Sequence, residues 1–144
     1  MIRRFAFALC VLSAPAFAGD VACPDMAAAV QVGACPTEEE LNWGYTGYCG
    51  DNARLYDKEG DTCVNPENYR KLKDVSLWEA GEFQGYLHCS LAPEAHKASK
   101  PAGIAIRKAG KITRVTCSYD GGQEMTLRTR AECTQTGDKA SCKE

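Results

Sequence analysis

No stretch of this chain stays apolar for the roughly 20 residues a membrane-spanning helix needs. No Cys-x-x-Cys pair occurs, and histidine stands at only two positions, His88 and His96. Each absence removes a class of function. Without a long apolar run, no membrane anchor is expected once a leader is removed. Without closely spaced cysteines or clustered histidines, a zinc site has no ligand set. The signatures G-x-S-x-G and H-E-x-x-H and the phosphate-binding loop are also missing. The chain is therefore expected to be non-catalytic, with no cofactor and no bound metal. There is no Asn-x-Ser/Thr acceptor either, which fits a bacterial envelope setting.

What is present points to export. Arg3 and Arg4 precede a short apolar run from Phe5 to Leu12, and Ala16-Phe17-Ala18 has the small-x-small form of a cleavage site. Residues 1–18 read as a signal peptide, and residues 19–144 as a single disulfide-stabilised domain of periplasmic or secreted location. Cys10 leaves with the leader. The remaining cysteines are Cys23, Cys35, Cys49, Cys63, Cys89, Cys117, Cys133 and Cys142, an even set that reads as a disulfide framework. Their pairing cannot be read from spacing. With all eight bridged, no thiol remains as a nucleophile.

Charge is divided along the chain. Residues 19–94 carry 14 acidic and 5 basic side chains; residues 95–144 carry 5 acidic and 10 basic ones. So modest an excess of positive charge on an acidic protein argues against nucleic acid as a partner. The two halves can attract each other, or the basic half can meet an anionic partner.

Local signals predict an α+β fold, with N-terminal helices and loops packed on an antiparallel sheet of about four strands. Thr37-Glu38-Glu39-Glu40 has the form of a capping box opening a short helix to about Trp43. Asn65-Pro66-Glu67 opens a second helix to about Lys73, and Met26 to Val32 a third. From Val75 the apolar period becomes two, marking half-buried strands. Asp120-Gly121-Gly122 is the clearest turn. Treated as a three-residue loop, it sets Cys117 opposite Met125, Val115 opposite Leu127 and Arg114 opposite Arg128, with the apolar set on one face. A two-residue loop at Ala109-Gly110 would set Ile104 opposite Val115 and put Arg107 beside Ile112. The segment from Ala92 to Ala102 reads as a mobile loop.

Three groups of residues are candidates for function. Arg107, Arg114, Arg128 and Arg130 fall on the outward face of the sheet, with Ile112 opposite Arg130. Guanidiniums gathered there can grip carboxylate or phosphate, although charged outer faces are ordinary on antiparallel sheets. Trp43, Tyr45 and Tyr48 lie in the run Trp43-Gly44-Tyr45-Thr46-Gly47-Tyr48-Cys49-Gly50, where aromatics on a Gly-rich loop could stack on sugar rings. That run is similar to the aromatic-glycine-cysteine run of hevein-type chitin-binding modules, a resemblance that implies glycan binding; the adjacent Cys-Cys pair and cysteine spacing of that family are absent. His88 points outward by strand parity and His96 falls in the loop, each an ordinary surface histidine. The expected function is an exported protein, of inhibitor or immunity type, that binds another protein. The alternatives are a glycan- or cell-wall-binding module and a small periplasmic hydrolase using a histidine.

Overall fold

The computed structural model describes residues 19–56 and 60–143; the expected leader, residues 1–18, lies outside them. Nine strands and four α-helices follow in order: β1 (Gly19–Ala22), β2 (Val30–Gln31), α1 (Glu38–Cys49), α2 (Asn52–Leu55), α3 (Pro66–Lys73), β3 (Val75–Ala80), β4 (Phe83–His88), α4 (Pro93–Ala98), β5 (Pro101–Ala109), β6 (Ile112–Tyr119), β7 (Glu124–Thr129), β8 (Glu132–Thr136) and β9 (Lys139–Lys143). The fold is α+β, but the strands form two antiparallel sheets rather than one of about four strands. A six-stranded sheet has the order β2-β3-β4-β7-β6-β5, and a three-stranded sheet the order β1-β9-β8.

The main core lies on the inner face of the larger sheet. Trp78 and Phe83 point into it, as do Leu87, Val115, Cys117 and Met125. Val21, Ala140 and Cys142 of the smaller sheet meet them, together with Met26. Met26 begins a 3-10 turn, Met26–Ala28, rather than a helix reaching Val32, because Val30 and Gln31 pair with β3. Each large apolar side chain buried here contributes about 1.5–3 kcal/mol. A smaller core, made by Leu41, Cys49, Cys63 and Tyr69, holds α1 to α3.

The disulfides follow this division. Cys23–Cys117 ties the chain after β1 to the middle of β6, and Cys35–Cys89 anchors the start of the helical segment beside β4. Cys49–Cys63 closes the helical segment on itself, and Cys133–Cys142 joins β8 to β9.

Helix α1 is longer than its start signal suggested. The capping box is present: the Thr37 hydroxyl accepts from the Glu40 N–H at 3.2 Å, and the Glu40 carboxylate accepts from the Thr37 N–H at 2.7 Å. The Thr37 N–H foremost, and the Thr37 hydroxyl after it, hold the Glu40 carboxyl below the usual range. The helix continues through Gly44 and Gly47 to Cys49 because tertiary contacts override glycine's poor propensity. A Cβ on Gly44 would collide with the Tyr69 hydroxyl. Helix α3 begins as read, with Asn65 capping the N–H of Asn68 at 2.8 Å and Pro66 at its first position. Arg70 joins the two helices, donating to Glu38 Oε1 at 2.8 Å and Oε2 at 2.6 Å, which holds the Glu38 carboxyl low.

Strand register decides what shares a face. The β6–β7 ladder follows the three-residue turn, with Cys117 opposite Met125, Val115 opposite Leu127 and Arg114 opposite Arg128. The β5–β6 register differs from the expectation. The turn residues are Gly110 and Lys111, so Ile104 meets Cys117, Ile106 meets Val115 and Arg107 meets Arg114. Gly110 has φ 62°, and glycine is the residue that takes a positive φ at the first central position of a two-residue hairpin loop. The shift spans two residues, so the inward set is unchanged.

Candidate binding face

The outer face of the six-stranded sheet presents side chains of alternating positions from five long strands. Across its middle run Glu79, Gln84, Thr126 and Thr116, for Glu79 pairs with Gln84, Gln84 with Thr126 and Thr126 with Thr116. Gln84 Nε2 donates to Glu79 Oε1 at 2.8 Å, and the two threonine hydroxyls lie 3.4 Å apart. On one side of this band Tyr86 stands opposite Leu77 and is 70% exposed.

On the other side the register lines up Arg107, Arg114 and Arg128 on three adjacent strands, each exposed and each directly opposite the next. Like charges in directly opposed positions are destabilising. Among the described residues the ion pairs are Arg70–Glu38 and Lys108–Glu132, so none of the three guanidiniums is neutralised by a carboxylate. Lys108 alternates with Arg107 and points the other way, toward β8, where it holds the Glu132 carboxyl low.

A groove of about 380 Å³ runs from Leu77 and Tyr86 past Gln84 and Thr126 to Arg128, with Glu124 on its wall. It lies along the seam where β4 meets β7 through the pair Gln84–Thr126. A Cβ on Gly85 would strike the Glu124 carbonyl and lie 2.7 Å from Met125 Sδ. Tyr86 and Leu77 were not singled out from sequence; strand parity marks Tyr86 as outward, but only the sheet order brings β4 beside β7.

The structure rearranges the other candidates. Arg130 is exposed in the bend after β7, beyond the last ladder pair Thr113–Thr129, so it neither faces Ile112 nor joins the row. Trp43, Tyr45 and Tyr48 lie on helix α1, not on a loop, and do not make a shared stacking plane. Tyr45 packs edge-on against Tyr69 at 5.7 Å between ring centres, and its hydroxyl donates to the Cys63 carbonyl at 3.3 Å. Tyr48 also packs on Tyr69 and is covered by the Arg54 guanidinium 4.2 Å from its centre. Trp43 alone is exposed, at 70%.

His88 is exposed on β4 as parity requires. His96 is not a surface residue. It sits on α4, within the segment read as a mobile loop, and is 2% exposed. Its Nε2 lies 2.8 Å from the His88 carbonyl, an acceptor, so Nε2 carries the proton. Nδ1 then accepts from Gln123 Nε2 at 3.2 Å. The ring meets Trp78 edge-on at 5.5 Å. Pro93 at the first helical position starts this helix, and the buried imidazole fastens it to the turn between β6 and β7.

Among the described residues no group of three His, Cys, Asp or Glu converges as a metal site. No helix there is long and apolar enough to cross a membrane. Set beside protein families, curated proteins and solved structures, the chain has no significant match to any.

Proposed function

We propose that this chain is an exported, non-catalytic binding protein of inhibitor or immunity type, which takes an acidic surface of another protein on the open face of its larger sheet. The observation that carries the reading is the in-register row Arg107, Arg114 and Arg128, exposed and without carboxylate partners among the described residues. A fold that only needed solubility has no use for three guanidiniums in directly opposed positions; a partner carboxylate would turn each into a charge-assisted, bidentate contact. The groove ending at Arg128, with exposed Tyr86 on its wall, adds an aromatic anchor of the kind that concentrates binding energy. The four disulfides fit an oxidising compartment, the periplasm or the exterior. A glycan-binding reading is weaker, because Tyr45 and Tyr48 pack on Tyr69 and leave Trp43 as the one exposed ring of the three.

The test is capture from envelope and secreted fractions with the mature oxidised protein as bait, beside Arg114→Glu combined with Arg128→Glu. A protein retained by the wild type and lost by the double variant, with an unchanged circular dichroism spectrum, supports the reading. Retention by both contradicts it.

A further inference from the structure

Resting on that reading of the sheet face, we infer that the arginine row receives an acidic α-helix lying across the strands, with carboxylates one helical turn apart. The inference comes from spacing. Arg107, Arg114 and Arg128 occupy one position each on β5, β6 and β7, in directly paired register. Adjacent strands lie about 4.8 Å apart, so the outer two members are about 10 Å apart at the backbone. A helix advances about 5.4 Å per turn and about 10.5 Å over seven residues, so carboxylates on one face at successive turns match the row member for member. An extended segment places same-face side chains about 6.7 Å apart, and its third carboxylate would overshoot by about 3 Å.

The surroundings select the direction and length of the occupant. Along the strands the face turns acidic: Glu124 lies on the same face of β7 as Arg128, four residues away, and Glu79 lies beside Gln84. A ligand running parallel to the strands meets those carboxylates, whereas one running across them along the row does not. Continuing the antiparallel Gln84–Thr126 pairing by two residues brings Glu82, in the β3–β4 turn, beyond Arg128 at the end of the row. The basic strip is thus bounded. It suits a compact run of about three carboxylates and disfavours a long sulfated or phosphorylated polymer, which would be repelled where it passes Glu82.

The experiment uses fluorescence anisotropy with the oxidised protein and three probes. The first is a lactam-stapled helix with glutamates one turn apart. The second is a peptide of the same composition with glutamates at alternate positions, held extended by prolines. The third is a sulfated polysaccharide. At low salt the helix should bind at least about tenfold tighter than its extended isomer. Arg114→Gln should weaken the helix about five- to tenfold, and Arg130→Gln, outside the row, by less than about twofold. Equal affinity for the two peptides, still dependent on Arg114, overturns the helical inference and leaves the face as a carboxylate site. Tighter binding of the polysaccharide overturns it in favour of a polyanion. Binding by neither peptide, or binding insensitive to Arg114, overturns the inference and the reading of the face together.

Discussion

Replacing Arg114 by threonine should make the protein more stable while disabling it. Arg114 is the middle of the row and directly faces two like charges, Arg107 and Arg128. A cross-strand pair is worth about 0.2–1 kcal/mol, with the sign reversed for like charges. Removing both contacts should therefore return about 0.5–1 kcal/mol at low salt, after allowance for the packing that the arginine stem supplies. Threonine suits a central strand, and two threonines already stand on this face at Thr116 and Thr126, so the substitution introduces no propensity penalty. For a chain of this size the gain corresponds to about 2–5 °C in Tm. Thermal melts by circular dichroism, with the disulfides intact, read it directly. In about 0.5 M salt the Debye length falls to about 4 Å, the repulsion is screened, and the gap between wild type and variant should close. A variant that melts lower than the wild type, or a gap that does not respond to salt, would refute the claim that the row is an electrostatic burden kept for binding.

Three other perturbations test the framework behind the face. Gly85→Ala should destabilise by about 2–3 kcal/mol in urea unfolding, because its Cβ meets the Glu124 carbonyl and Met125 Sδ where β4 and β7 join; a change under about 0.5 kcal/mol would show that the strands are not held that close. His96→Leu should cost about 1–3 kcal/mol, since it leaves the buried Gln123 amide without its partner and takes one donor from the His88 carbonyl; an unchanged midpoint would return His96 to the surface. Burial, reinforced by the charge of Asp25, pushes the Tyr119 phenol from 10.0 up to about 12, and its hydroxyl donates to the Pro24 carbonyl at 2.7 Å. A raised folded-state value gives stability that is complete below pH 10 and lost as pH climbs toward 12. Wild type should therefore lose more stability than Tyr119→Phe across that window, and parallel losses would contradict the assignment.

Local signals were legible where a residue's chemistry dictates a backbone shape. Asn65-Pro66 opened a helix, Thr37 and Glu40 closed a capping box, and the Asp120-Gly121-Gly122 turn set the β6–β7 register, including Arg114 opposite Arg128. The neighbouring hairpin turns one position later than the pair Ala109-Gly110 suggests. Gly110 belongs at the first central site and not the second, and that correction is what brings Arg107 into the row. Helix α1 runs past Trp43 to Cys49 although Gly44 and Gly47 interrupt its sequence. What sustains it is Tyr69, which arrives from a distant helix and fills the space over Gly44. His96 looked exposed because α4 has only six residues and Ala92 gives it no side-chain cap; its burial depends on Trp78 and Gln123, both remote in sequence. The smaller sheet pairs the start of the described chain with its end, a contact no local pattern reveals. The groove, likewise, follows from β4 lying beside β7, although the chain places β5 and β6 between them.

Side-chain NMR observes, residue by residue, whether the open sheet face engages carboxylates through the arginine row. Arginine Nε–H resonances of the labelled protein should be followed at low salt while the stapled acidic helix is added. Shifts concentrated at Arg107, Arg114 and Arg128, with Arg54, Arg70 and Arg130 nearly still, are the predicted result. Movement spread evenly over all arginines, or confined to those outside the row, would contradict it.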